Sequence, residues 1–213
     1  VGLGGRFDAT NVIKKKKFAA VTPISIDHQD YLGNSLLDIA FEKLGILNSK
    51  SVNFINKQKP KVMKYIRDQL KERGLRAEIF SKNWTINSNN YLSNKAKIDL
   101  SKLSLLGEHQ KINSGLAIHL AKNILKGNFD ITTTENALQK CQWPGRLQLI
   151  DKGFIPKKIN KYKNIYLDGF HNIDGMKVLI ESLNSNKKIL ICSFLNNKKY
   201  VHMLTNLSKK FQK

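Results

Sequence analysis

Cysteine and acidic side chains are both scarce in this chain. Only two of its 213 residues are cysteine, Cys141 and Cys192, far apart and without metal-type spacing. That excludes a disulfide scaffold and fits two ordinary thiols in a reducing cytoplasm. No run of about 18 apolar residues occurs, so no membrane-spanning helix is expected. No signal-peptide pattern is visible over the first residues, and none is expected. Zinc-finger spacing and an RNA-binding aromatic signature are both missing, and there are no internal repeats.

The shortage of acids leaves 16 Asp plus Glu against 37 Lys plus Arg, a formal charge of +21. One reading is an anionic partner such as nucleic acid, a membrane surface or a polyanionic substrate. The other is compositional drift in a Lys-, Asn- and Ile-rich chain. Lysine far outnumbers arginine and is spread through every segment, which favours drift with a modest attraction for anionic substrates. No nucleic-acid or membrane partner is expected. Lys14–Lys17 reads as a solvated turn entering a strand. Hydrophobic residues make up 41% of the chain, enough for a core, and the length suits one large domain or two smaller ones.

The pattern along the chain is α/β. Residues 18–26 are apolar and β-branched, and predict a strand leading to His28. A helix follows, capped by Asn34 or Ser35. On it Leu36, Ile39, Ala40 and Lys43 share one side, while Ser35, Asp38 and Glu42 share another. A lysine on an apolar face is either a snorkelling stem or a residue with a chemical task. A strand over 51–55 and a helix over 61–73 come next, with Val62, Met63, Ile66 and Leu70 inward and Gly74 as the stop. Residues 83–106 read as a meander of short strands. Further helices are expected over 113–125, with Leu116, Leu120 and Ile124 in register, and over 134–142. Trp143-Pro144-Gly145-Arg146 then breaks the pattern like a hinge. Strands over 164–167 and 188–194 and helices over 174–183 and 198–210 follow, a βαβα run that predicts a parallel sheet.

Several segments could carry chemistry. His28, flanked by Asp27 and Asp30, lies where open α/β sheets place their ligands. Gly2-Leu3-Gly4-Gly5-Arg6-Phe7-Asp8-Ala9-Thr10-Asn11 is glycine-rich but lacks the Gly-Lys-Ser/Thr ending of a P-loop. Leu106-Gly107-Glu108-His109-Gln110 precedes Asn113. Leu167-Asp168-Gly169-Phe170-His171-Asn172 closes a strand and opens a helix, with Asn172 or Asp174 as its cap. Taken alone, His109 reads as a structural residue and Arg146 as a surface charge.

Together, and in this order, these motifs resemble folylpolyglutamate synthase/dihydrofolate synthase, of the Mur ligase superfamily. The resemblance runs over essentially the whole chain. It implies a Mur-ligase-type central ATPase domain over 1–146 and a Rossmann-like C-terminal glutamate-ligase domain over 147–213, both partial. It also implies an ATP-dependent ligase that adds L-glutamate to dihydropteroate, or to the γ-carboxylate of folates, through an acyl phosphate. The cofactors implied are ATP and Mg²⁺, with K⁺ a further candidate, in a cytoplasmic monomer. By resemblance, His28 and a carbamylated Lys43 hold the metal. Burial favours the neutral amine that takes up CO₂, and a carbamate offers the hard oxygen that Mg²⁺ prefers. Asp8 and Ala9 line the pterin site. Asn113 faces the adenine, Arg146 the phosphates, Asp168 the ribose and His171 the phosphates, with closure about the Trp143–Arg146 hinge bringing the halves together.

Two departures stand out: Phe170 and Ile173 replace a small residue and a proline that the family usually carries. Phe170 has the bulk to crowd a nucleotide, and the sequence leaves its effect on that contact open. Asn196-Asn197-Lys198 also departs from the family's pattern there. The family's P-loop and a further Mg²⁺-binding Glu would precede Val1, so these 213 residues alone are expected to be inactive. A cell-wall Mur ligase and a basic nucleic-acid-binding fragment are the alternatives.

Overall fold

The computed structural model describes residues 4–13, 15–94, 96–158, 164–183, 189–195, 200–209 and 211. The chain forms two units. The first comprises Val1–Ser101 and Lys111–Glu135, the second Lys102–Gln110 and Asn136–Lys213.

The first unit is built on a parallel sheet. Strands β1 (Phe18–Val21), β2 (Val52–Ile55) and β3 (Ala77–Ile79) lie in that order, with Ala20 opposite Phe54 and Phe54 opposite Glu78. β1 is shorter than the 18–26 expected. It ends at Val21, just ahead of Pro23, and proline has no amide to give to a ladder. A short helix α1 (Gln29–Leu32) precedes α2 (Leu36–Leu44). Ser35 caps α2: its hydroxyl accepts the Asp38 amide, and the Asp38 carboxylate accepts the Ser35 amide, at 3.2 and 3.0 Å. Helix α3 (Pro60–Glu72) ends at Gly74 (φ +59°), with Leu75 N–H donating to Leu70 O at 2.8 Å. This is the wrapping bond of a glycine-stopped helix.

The two helices pack together over one face of the sheet. Ala19, Val21, Ile39, Ala40, Leu44, Ile55, Val62, Ile66 and Leu70 share one core. On α2 the expected stripe forms, with Ile39 and Ala40 fully buried and Leu36 and Lys43 at its half-buried margin. Burying an aliphatic side chain contributes about 1.5–3 kcal/mol, so these two faces hold the unit together.

The expected meander is present as β4 (Trp84–Asn87), β5 (Asn90–Ser93) and β6 (Ala96–Asp99), an antiparallel sheet in that order. Helix α4 (Glu108–Leu125) begins before the 113 expected, and its buried face differs from the one expected. Ser114, Leu116, Ile118 and His119 are buried, while Ile124 is 54% exposed. Helix α5 (Ile131–Lys140) opens at Asp130, whose carboxylate accepts the Thr133 amide at 2.6 Å.

The second unit has a smaller core. Its strands β7 (Gln148–Leu149) and β8 (Tyr166–Leu167) pair antiparallel, with helix α6 (Phe154–Lys158) between them in sequence. β8 falls within the strand expected over 164–167, and its partner β7 is a strand the pattern does not predict. The parallel pair expected between 164–167 and 188–194 does not form among the described residues, because 189–195 are not extended into a strand. Helices α7 (Ile173–Ser182) and α8 (Tyr200–Ser208) follow. Leu147, Met176, Leu179, Met203 and Leu207 form the core, with Phe170, Phe194 and Phe211 against it. Residues 189–195 carry no strand. Asn196-Asn197-Lys198 lies outside the described residues, as do Lys14 and the first three residues. Among the described residues, no helix is long and apolar enough to cross a membrane.

Candidate functional site

Lys43 sits in the last turn of α2, and the glycine-rich segment docks on that turn. Gly5 N–H and Arg6 N–H both donate to Glu42 O, at 2.8 and 3.0 Å. The approach is too close for side chains. A Cβ on Gly5 would collide with the Lys43 carbonyl, and one on Gly45 would lie 2.6 Å from Arg6 Cα. Gly4 adds a left-handed backbone, φ +72°. Arg6 closes the contact from outside with a 2.8 Å ion pair to Glu42. Arg73, at the end of α3, donates to Leu44 O and Leu47 O at 3.0 and 2.9 Å. That supplies partners for carbonyls at the helix end, which have none within the helix. The motif's parts are legible in the sequence, but the docking of Gly5 and Arg6 against residues 43–46 is not; its signal is a glycine in each of two segments 40 residues apart, Gly5 and Gly45.

Behind this contact lies a cleft of about 290 Å³, lined by Gly4, Gly5, Asp8, Thr10, Lys43 and the β1 strand, among others. Lys43 and Asp8, singled out separately from the sequence, thus line the same cavity. Asp8 is buried and caps the 3-10 turn Ala9–Val12, accepting Thr10 N–H at 2.8 Å and Thr10 Oγ1–H at 2.6 Å. The Thr10 bonds hold its carboxyl below the usual carboxylate range. Ala9 is exposed on that turn, next to Phe7, Val12 and Ile13, which are likewise exposed. A larger recess of about 430 Å³ beside the start of α3 is lined by Lys57, Met63, Arg67 and Phe80 among others and contains none of the expected residues.

His28 precedes α1 with a left-handed backbone, φ +51°, a region where a non-glycine residue is uncommon. Its amide donates to Asp27 Oδ1 at 2.9 Å, and its Nε2 lies 3.9 Å from Asp27 Oδ2. The ring is partly exposed, and it is not among the residues lining the Lys43 cleft.

Asn113 is exposed on α4, whose other face is clamped. Asn56 Nδ2 donates to Ile112 O at 3.2 Å, and a Cβ on Gly115 would lie 2.8 Å from Ile86. His119, which the sequence reading passed over, is the third clamp. One ring nitrogen meets Tyr91 OH at 2.7 Å and the other Glu78 Oε2 at 3.2 Å. The ring stacks on Trp84, centroids 4.3 Å apart. Burial pushes the His119 imidazole below its ordinary value against the pull of Glu78. A neutral ring with a proton on Nε2 satisfies both partners, accepting from Tyr91 and donating to Glu78.

In the second unit, Arg146, Asp168 and His171 stand around the β7–β8 pair. Trp143–Arg146 is a turn with Pro144 and Gly145 (φ +71°) at its centre and Arg146 N–H donating to Trp143 O at 3.3 Å. Arg146 is exposed at its end. Asp168 follows β8. Its Oδ2 accepts Leu147 N–H and its Oδ1 accepts Phe170 N–H, both at 2.8 Å. Each oxygen retains a second lone pair. His171 Nδ1–H donates to Gly169 O at 3.1 Å, and Asn172 caps α7, accepting Gly175 N–H at 2.8 Å. Phe170, the bulky departure from the family's small residue, packs against the core. Its ring lies 5.5 Å from Phe194, and a Cβ on Gly175 would lie 3.0 Å from its Cβ. His109 is half-buried and has Asp168 and Arg146 as charged neighbours. Burial lowers its pKa, opposed by Asp168 and aided by Arg146.

No protein-family model matches the chain. It is 35% identical over 192 residues to dihydrofolate synthetase of Saccharomyces cerevisiae, covering 86% of this chain and 44% of that protein. It is 30% identical over 223 residues to dihydrofolate synthase/folylpolyglutamate synthase of Bacillus subtilis, covering 97% and 49%. Among solved structures, folylpolyglutamate synthase of Mycobacterium tuberculosis complexed with ADP and AMPPCP superposes with a TM-score of 0.78 at 28% identity, over 99% of this chain and 49% of that one. A folylpolyglutamate synthase–AMPPCP–folate complex reaches 0.82 at 24% identity, a likeness of fold. The chain spans about half the length of the curated relatives it matches. Sequence and fold together place it in the folylpolyglutamate synthase/dihydrofolate synthase family.

Proposed function

We propose that the protein is an ATP-dependent ligase that adds L-glutamate to dihydropteroate, or to the γ-carboxylate of folates, through an acyl phosphate. The observation that carries this reading is the meeting of Lys43, Asp8, Gly4 and Gly5 in one cleft. A lysine there, at the margin of an apolar helix face, matches what a carbamate requires. The solved relatives bind ADP, AMPPCP and folate, and the curated ones are dihydrofolate or folylpolyglutamate synthases.

In this reading Asp8, held ionised by Thr10, and the exposed Ala9 turn face the pterin. Lys43, as its carbamate, and His28 hold Mg²⁺. The donor set suits a hard divalent ion: carbamate oxygen, an imidazole left accessible on a left-handed turn, and the Asp27 carboxylate beside it. When bound, Mg²⁺ supplies positive charge to the phosphoryl group in transfer. Asn113 contacts the adenine side of ATP, Asp168 the ribose, and Arg146 and His171 the phosphates. Arginine fits that task because its fork bridges two phosphate oxygens. The substrate carboxylate attacks the γ-phosphorus of ATP and expels ADP. The amine of L-glutamate then attacks the acyl phosphate carbon, releasing phosphate and a proton. Fixed donors aimed at the charge developing on oxygen accelerate both steps. We place the enzyme in the cytoplasm as a monomer.

The test is phosphate release by the full-length protein given ATP, Mg²⁺, dihydropteroate and L-glutamate. Release should require all four and drop by about a hundredfold or more in Lys43→Ala, as expected when an electrostatic transition-state contact is removed. Release that ignores glutamate, or survives Lys43→Ala, would contradict the reading.

A further inference from the structure

Leu147 has φ +45°. For a bulky side chain this left-handed backbone is an outlier, and it persists only where its surroundings over-determine it. Here they do so from two sides. The Leu147 side chain is 3% exposed, packed among Met176, Leu179, Met203 and Leu207. Its amide donates to Asp168 Oδ2 at 2.8 Å. The neighbouring backbone is pinned as well: Gly169 N–H donates to Gly145 O at 2.8 Å, and Gly145 N–H to Gln148 Oε1 at 3.0 Å. The antiparallel ladder pairs Gln148 with Leu167. One step further along, Leu147 meets Asp168, and a carboxylate takes the place of a ladder carbonyl. Arg146 therefore departs from a backbone fixed on one side by the Trp143–Arg146 turn and on the other by a strained residue that Asp168 holds.

We propose that Asp168 is a positioning residue for Arg146: by accepting the Leu147 amide it holds the left-handed turn that aims the guanidinium at polyphosphate. This rests on the reading of Arg146 as a phosphate contact. It is separate from any bond between Asp168 and the ribose, and a probe that contains no ribose distinguishes the two.

The experiment is calorimetric binding of inorganic tripolyphosphate and of ADP to the full-length protein and to Asp168→Ala, Arg146→Ala and the double variant. Losing a charge-assisted arginine contact weakens binding by about tenfold. Arg146→Ala and Asp168→Ala should each weaken tripolyphosphate by that amount, and Asp168→Ala should add less than about twofold once Arg146 is gone. A carboxylate that only repels nearby phosphate predicts the opposite sign, tighter tripolyphosphate binding in Asp168→Ala. That result would overturn the proposal, as would an Asp168→Ala effect confined to ADP, which marks a ribose contact alone. If Arg146→Ala leaves tripolyphosphate unchanged, the phosphate reading of Arg146 fails, and the proposal fails with it. Should Asp168→Ala not fold, Asp168→Val serves: it fills the space but removes both acceptor oxygens. The same weakening of tripolyphosphate, about tenfold, is then expected, and unchanged or tighter binding overturns the proposal.

Discussion

The two units hold their candidate residues in different ways. In the first, Lys43 and Asp8 rest on packed elements: one apolar cluster draws thirteen buried residues from β1, α2, β2, α3 and the segments around them. In the second, the corresponding cluster has five among the described residues, and β7 and β8 are two residues long. The same contrast appears in the glycines. Gly5 and Gly45 are required by space, because backbone lies where their Cβ atoms would go. At Gly145 no described atom lies within 4 Å of a Cβ, and the glycine is required by its φ of +71°. A site on a large core is placed by packing, whereas one on a small core depends on single hydrogen bonds such as Leu147 N–H to Asp168.

The sharpest way to break this comparison is Gly45→Ala. The added methyl meets the Arg6 backbone at 2.6 Å, and overpacking against backbone should cost about 3 kcal/mol in urea unfolding. A cost below about 1 kcal/mol would show that the glycine segment does not dock there in solution. His119→Phe retains the stack on Trp84 but removes both the acceptor facing Tyr91 OH and the donor facing Glu78, leaving Tyr91 OH with Ser93 alone. A loss of about 2 kcal/mol is expected by the same measurement. Gly145→Ala should cost about 1–2 kcal/mol through backbone strain alone, and Gly145→Asn less, since asparagine tolerates the left-handed region. Equal costs for the two would place a steric neighbour at Gly145 that the structure does not show.

The smallest effect is in pH. His119 and His109 both have pKa values held below the ordinary 6.5 by burial. A depressed folded pKa means the unfolded chain binds more protons below 6.5, so stability is complete above that value and falls as pH drops through the folded pKa. Unfolding free energy measured from pH 8 to pH 5 should decline in the wild type. It should decline less in His119→Phe, with the remaining slope belonging to His109. An unchanged slope would mean that His119 is not the buried neutral group described.

Much of the first unit was legible because its signals are local and periodic: the 3.6-residue stripes of α2 and α3, a helix cap at Asn34 or Ser35 and the Gly74 stop. The family motifs marked Asp8, Lys43, Arg146 and Asp168 for the same reason, each lying in a short contiguous run. What the sequence did not reveal is long-range. His119 lies on a helix whose stripe was assigned to Leu116, Leu120 and Ile124, and only the approach of Glu78 and Tyr91 makes it a polar node. The left-handed Leu147 carries no compositional mark, since leucine is not a residue that announces such a turn. The strand expected over 188–194 is not formed among the described residues, and β7, only two residues long, is too short to show a pattern.

The central claim is that this chain serves a glutamate ligase acting on a pterin acid. The most direct test is mass spectrometry of the products formed by the full-length protein from ATP, Mg²⁺, dihydropteroate and isotope-labelled L-glutamate. The account predicts that dihydropteroate gains one labelled glutamate with loss of water, and that Lys43→Ala abolishes the gain. Unchanged dihydropteroate, with label appearing instead on a UDP-muramyl acceptor offered in parallel, would contradict it.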